Sequence, residues 1–345
     1  MRIAIVNDTG MAVEAMRRVL LRSHGHELAW VARDGVEAVQ RCSQDTPDLV
    51  LMDLIMPLMD GVEATRQIMA RNPCAIVVVT ADVNHSTSRV FEAMGAGALD
   101  AVNTPTIEQA ASSHGSDALL GKIQTINRLI GPEVGRNTTT MAAPPKLASY
   151  PGRSLLVAIG ASAGGPAALA RVLAPLPADF PAAIVITQHV DFQFAEGLAS
   201  WLNSQSKLSV RLAQEGDRPE PGTVLLAGTE LHLAFVASGT LGYTTQPFDC
   251  AYQPSIDVFF SSIEPFWPGD VAGVLLTGMG RDGARGLKAL HNAGYHTIVQ
   301  DKATSAVYGM PKAAIEMKAA SEVLPIEKIG PRLAAFPNQK HKHHV

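Results

Sequence analysis

The sequence predicts two α/β domains in tandem, each built on a parallel sheet covered by helices. Three observations predict it. A chain of 345 residues exceeds what one ordinary core holds. Short apolar runs alternate with one-sided helical patterns in both halves. A stretch rich in Thr, Pro and Gly, without apolar period, separates the halves.

In the first half, up to about residue 125, the stretches 3–6, 28–32, 49–52, 75–80 and 98–102 read as strands. Residues 12–22 and 62–70 repeat apolar side chains every three or four positions, as helices with one buried face do. Strands apolar on both faces imply a parallel sheet with helices on each side. Residues 126–153 are the expected linker. From 154 to 337 a second series follows, with strands at 155–159, 183–187, 223–227, 271–276 and 297–299 and helices at 166–173, 195–202, 256–263 and 284–292. The alternation around 232–245 suits a β-hairpin. This half is expected to be doubly wound and mainly parallel. Residues 338–345 read as a disordered tail, whose three histidines are no metal site.

Composition narrows the function. Hydrophobic residues make up 47% and charged residues 17%, as in globular proteins. The net charge is −4 with no basic cluster, which argues against nucleic acid as a partner. Cys42, Cys74 and Cys250 form no C-x-x-C pair and fit a reducing compartment. No signal peptide and no apolar run of ~18 residues is seen. A cytoplasmic protein, not embedded in membrane, is the expectation.

In an open parallel sheet, ligands gather where strands end at their carboxyl side. Asp8 follows the first strand and Asp53 the third, Thr80 ends the fourth, and Asn103-Thr104-Pro105 follow the fifth. Two converging carboxylates suit Mg²⁺, and a metal-neutralised Asp can accept a phosphoryl group. Acids after strands also serve as helix caps. The stretch Leu51-Met52-Asp53-Leu54-Ile55-Met56-Pro57-Leu58-Met59-Asp60-Gly61 resembles the response-regulator receiver family. That resemblance implies a flavodoxin-like five-stranded sheet, with Asp53 as phospho-acceptor, Asp8 and Asp53 as Mg²⁺ ligands and Thr80 as switch hydroxyl. Asn7 stands where the family has an acid, Thr104 where it has a phosphate-pairing Lys, and Ala101 where it often has a switching aromatic. Weaker metal binding and altered switching are expected. The competing reading is a degenerate receiver that serves as a protein-binding lid.

The sharpest local signal lies in the second half. Gly160-Ala161-Ser162-Ala163-Gly164 links a buried-type strand to a helix and satisfies G-x-S-x-G, which exposes a Ser at a tight turn. Ser162 could instead cap the helix, or the loop could cradle a phosphate, although no G-x-G-x-x-G or G-K-[ST] is present. His189 ends the next strand, and Asp282 follows a later one, so a nucleophile, a base and an orienting acid reach one sheet edge. The order Ser…His…Asp differs from that of α/β-hydrolases.

Gly160–Gly165, Gln188-His189, Pro254-Ser255-Ile256-Asp257, Thr277–Gly283 and the run from Gln300-Asp301 to Met310-Pro311 occur in sequence. Together they resemble the catalytic domain of the CheB family of chemotaxis protein-glutamate methylesterases. The resemblance implies a Ser162, His189 and Asp282 triad, an oxyanion contact from the Met279 amide, and no cofactor for the esterase. Ala163 replaces a common Thr. The receiver variant is most similar to methylesterases of Wsp-type surface-sensing pathways. Implied partners are methyl-accepting chemoreceptors as substrate and a CheA-like histidine kinase as phosphodonor, with glutamine deamidation as a second reaction. The unphosphorylated receiver is expected to cover the active-site edge. Two other classes compete: a non-enzymatic regulator binding receptor or kinase with an idle triad, and a nucleotide-binding α/β module.

Overall fold

A computed structural model describes the chain except for residues 23–24, 81–86, 108–116, 131–154, 238, 248–249, 251 and 340–345. It divides into two compact units at Gly131.

The first unit contains β1 (Arg2–Val6), α1 (Gly10–Arg22), β2 (Glu27–Ala32), α2 (Gly35–Gln44), β3 (Leu49–Met52), α3 (Gly61–Arg71), β4 (Ala75–Thr80), α4 (Thr87–Ala96), β5 (Asp100–Asn103) and α5 (Asp117–Ile130). The sheet order is β2-β1-β3-β4-β5, and every pairing is parallel. One sheet face, carrying Ile3, Ile5, Leu49, Leu51, Val77 and Val79, packs on Met16 and Val19 of α1 and Ile123 and Ile126 of α5. Asp34 and Asp60 cap α2 and α3 by accepting the amides of Glu37 and Glu63, each at 2.9 Å. The fifth strand begins at Asp100, two residues later than its apolar run suggests. Helix α5 runs to Ile130, so the first unit extends past the boundary expected at 125.

The second unit contains β6 (Leu155–Ala161), α6 (Gly165–Leu173), β7 (Ala182–Gln188), α7 (Phe192–Gln205), β8 (Ser209–Leu212), β9 (Thr223–Leu226), β10 (His232–Ala237), β11 (Thr240–Thr244), α8 (Ile256–Phe266), β12 (Asp270–Leu275), α9 (Ala284–Asn292), β13 (His296–Gln300), α10 (Met310–Glu316), β14 (Glu322–Leu324) and α11 (Ile326–Gln339). Seven strands pair in the order β14-β13-β12-β6-β7-β9-β8, all parallel, and β10 and β11 form the expected antiparallel hairpin. Asn338 and Gln339, expected in the tail, close α11. Strand β6 sits at the point where the order reverses, with β7 on one side and β12 on the other. Such a switch point opens a crevice beyond the strand ends.

An aromatic cluster joins the hairpin to α8. Phe235 of β10 lies 5.5 Å from Trp267 and 6.4 Å from Phe259, ring centre to ring centre, and all three are buried. The Phe235 amide also donates to Ser262 Oγ of α8 at 2.9 Å. These contacts hold the body and C-terminal end of the helix against the hairpin. Among the described residues, no helix is long and apolar enough to cross a membrane.

Candidate active site

Ser162 follows β6 directly. Its amide donates to the Thr277 carbonyl at 3.0 Å, which ties the turn to the end of β12. Gly164 then takes φ 74°, a left-handed conformation open to glycine, and the chain enters α6. The side chain of Gln188 donates to the carbonyls of both Ser162 and His189 at 2.9 Å, so one buried amide holds two strand ends together. Thr277 Oγ1 donates to the Ala163 carbonyl at 2.9 Å and accepts the Val307 amide at 2.9 Å. Gln300 Oε1 accepts the Thr277 amide at 2.8 Å. The turn is braced from three strands.

The backbone of Gly278 passes against the serine. A Cβ there would lie 2.7 Å from Ser162 Cβ and closer still to Met310 Sδ, so the approach requires glycine. Among the described residues, the amides of Ala163 and Met279 meet no acceptor. Two free donors flanking a serine suit an oxyanion. Met279 was expected from the sequence resemblance. Ala163 was not, although an amide following a nucleophile is where the G-x-S-x-G turn offers one.

His189 and Asp282 meet as expected, with Nε2 of the imidazole 2.8 Å from Oδ2 of the carboxylate. Because the carboxylate accepts, Nε2 carries the proton of the neutral ring and Nδ1 keeps the lone pair. Nδ1 is buried without a partner. The nitrogen available to Ser162 is therefore Nδ1, whereas Nε2 would be the default expectation from better-known triads. Ser162 and His189 are 3% and 5% exposed, and no hydrogen bond joins Ser162 Oγ to the ring among the described residues. Such bonds are often loose before substrate arrives. One face of the imidazole is covered by Tyr252, whose ring stacks at 3.9 Å and 15°.

Asp282 is held by the start of α8. Oδ2 accepts the Ile256 amide at 2.7 Å, and Oδ1 accepts the Asp257 amide at 3.1 Å and Ser255 Oγ at 2.8 Å. The carboxylate thus lies at a helix N-terminus, where the peptide dipoles favour an anion. Burial pushes its pKa up, yet hydrogen bonding and charge from His189, with the two amides, outweigh it and hold the group below the ordinary value. Neighbouring Asp257 goes the other way. Burial and the Asp282 charge raise it, and Arg285 only partly offsets them.

In the first unit, Asp53 follows β3 and Asp8 lies just beyond β1. Asn7, 3% exposed, donates from Nδ2 to Asp53 Oδ2 at 3.0 Å, filling with an amide the place of a second acid. Leu54 donates its amide to Asp53 Oδ1 at 2.7 Å. Burial first, and then the Asp8 charge, raise Asp53 to about 6 against those backbone bonds. Two carboxylates near enough to repel fit a hard divalent cation, which would relieve that repulsion. Among the described residues, no three His, Cys, Asp or Glu side chains form a group that could hold a metal ion. Thr80 ends β4, is 2% exposed, and accepts the Thr104 amide on its carbonyl at 2.9 Å.

Comparison with known proteins assigns a family to each unit. Residues 157–333 match the CheB methylesterase family and residues 3–111 the response regulator receiver domain family. Protein-glutamate methylesterase/protein-glutamine glutaminase 1 of Pseudomonas fluorescens is 58% identical over 333 residues, covering 96% of this chain and 98% of that protein. The third such protein of Pseudomonas aeruginosa is 57% identical over 334 residues, covering 97% and 99%. The crystal structure of the Thermotoga maritima CheB methylesterase catalytic domain superposes with a TM-score of 0.51 at 33% identity, covering 54% of this chain and 99% of that one. A family match over the seven-stranded unit, a receiver match preceding it in sequence and relatives 57–58% identical over nearly the whole chain place this chain in the CheB methylesterase family.

Proposed function

We propose that the chain hydrolyses γ-glutamyl methyl esters on methyl-accepting chemoreceptors, with Ser162 as nucleophile, His189 as general base and Asp282 as the acid that orients it. The observation that carries the assignment is the His189 Nε2–Asp282 Oδ2 bond, which leaves Nδ1 free at the edge where Ser162 stands. Nδ1 takes the Ser162 proton as Oγ bonds to the ester carbonyl carbon. The oxyanion is met by the Met279 and Ala163 amides. As the intermediate collapses, the C–OCH₃ bond breaks and the imidazolium returns the proton, releasing methanol. Water, deprotonated by the same nitrogen, cleaves the acyl-enzyme to give glutamate and free serine. The same path with ammonia as leaving group deamidates glutamine, in keeping with the double name of the relatives. These steps use no cofactor.

The first unit makes this activity answerable to a phosphodonor. Asp53 accepts a phosphoryl group from a CheA-like histidine kinase, Thr80 reports it, and Asp8 with Asp53 would hold Mg²⁺. That ion, when bound, neutralises charge on the transferring oxygens. Asn7 and Thr104 remove an acid and a cation from the usual set, and the same pattern is the basis for a Wsp-type pathway assignment. A cytoplasmic location follows from these partners. Methanol release from methylated receptor is the test. Ser162→Ala should abolish it, and a small-molecule phosphodonor should raise it in wild type but not in Asp53→Asn. Signalling function that survives intact in Ser162→Ala would leave the triad idle and the protein a binding regulator.

A further inference from the structure

We propose that His232 is a positioning residue for this hydrolysis, acting on Asp282 through Ser255; the inference rests on the triad assignment above. His232 opens β10 and is completely buried. Its Nδ1 lies 2.9 Å from the Ser255 amide nitrogen, and its Nε2 lies 3.1 Å from the Pro247 carbonyl oxygen. A peptide N–H can only donate, so Nδ1 must be the unprotonated nitrogen. A carbonyl can only accept, so Nε2 must carry the proton. Both neighbours demand one tautomer of the neutral ring. Burial acts in the same direction, keeping the ring uncharged despite the nearby Asp282 charge.

The consequence is transmitted over one residue. Ser255 is the N-cap of α8, and its Oγ sits 2.8 Å from Asp282 Oδ1 and 3.4 Å from the Val258 amide. The amide of a capping residue lies outside the helix and has no intrahelical acceptor. His232 supplies that acceptor from the hairpin. Anchoring the amide fixes the Ser255 backbone, and with it the hydroxyl and the two helix amides that grip both Asp282 oxygens. An imidazole removed from any reacting atom thereby sets the direction of the Asp282 carboxylate toward His189. The aromatic packing of Phe235 on Phe259 and Trp267 makes the hairpin a rigid base for it.

Two substitutions separate positioning from packing. In His232→Asn, Oδ1 occupies the Nδ1 position and accepts the Ser255 amide. In His232→Gln, the side chain is closer in volume to histidine, but its terminal NH₂ occupies the Nε2 position and leaves the Ser255 amide bare. With methylated receptor and the full chain, kcat of His232→Gln should fall about tenfold with KM nearly unchanged, and His232→Asn should recover most of it. Equal kcat in the two variants, a lower kcat in Asn than in Gln, or a change confined to KM would overturn the proposal. Nitrogen-15 shifts of the wild-type imidazoles give a second reading independent of how variants fold. An unprotonated Nδ1 on His232 is expected, and a protonated one overturns the proposal. Ser162→Ala, run alongside, separates the two levels: methanol release persisting there defeats the triad, whereas release lost there but untouched in His232→Gln defeats the His232 role alone.

Discussion

Asp282 receives four hydrogen bonds on two oxygens, and only one of them comes from the imidazole it serves. Replacing it with Asn keeps the shape but brings an NH₂ against donors, so the His189 tautomer is no longer enforced. Asp282→Asn should lower kcat by about 10³–10⁴ with KM little changed, measured as methanol release. Gly278→Ala should also depress kcat, by roughly tenfold or more, because the new methyl group meets Ser162 Cβ and Met310 Sδ; steady-state kinetics on the folded variant check this. At this scale the sequence was informative where chemistry coincides with a strand end. Ser162, His189 and Asp282 each follow an apolar run, so their meeting could be foreseen. His232 and Tyr252 could not. They reach the site by the folding of a hairpin and the segment after it, and no local spacing in the chain encodes that contact.

Helix α8 is the element on which the site depends most. It presents its N-terminus to Asp282 and its side, through Phe259, Phe260 and Ile263, to the core. Phe259→Ala should cost about 3–5 kcal/mol in denaturant unfolding of the second unit, since the ring is fully buried and leaves a cavity. Its apolar spacing made the helix readable in advance, as did the unbroken apolar runs of β6 and β7. Strands β8 and β14 escaped, being four and three residues long at the two ends of the sheet, with side chains partly exposed. Helix α11 escaped for a different reason. Gly330-Pro331 reads locally as a breaker, yet Ile329, Leu333 and Phe336 are buried and Gly330 packs against Pro175 and the Val172 carbonyl. Tertiary burial outweighed local propensity there.

For the molecule as a whole, pH should act on the two units differently. The folded Asp53 carboxyl keeps its proton up to about 6, whereas the unfolded one releases it near 3.8. The folded state binds more protons in that window, so the stability from this group is full below about 3.8 and lost as pH rises through about 6. Asp53→Asn should therefore raise the Tm of the receiver transition at about pH 7.5, on the order of 5 °C, and confer little at about pH 4. Thermal melts of the full chain at the two pH values decide it, and an equal shift at both would contradict the assignment. Asn7→Asp adds a carboxylate 3.0 Å from Asp53 and should strengthen Mg²⁺ binding while lowering metal-free stability; titration calorimetry and melts without Mg²⁺ measure the two effects.

Ser162 directly follows the first strand of its sheet in chain order, and Asp282 follows the fifth, after the chain has left and returned to the side of β6 opposite β7. A ribosome making this protein from its N-terminus therefore releases the serine long before the acid exists. Parallel neighbours far apart in sequence also pair late. Premature termination between His189 and β12 would yield a fragment with a nucleophile and an imidazole but no orienting carboxylate. Hydrolytic competence is thus the last property the growing polypeptide acquires, after the receiver that governs it has already been translated.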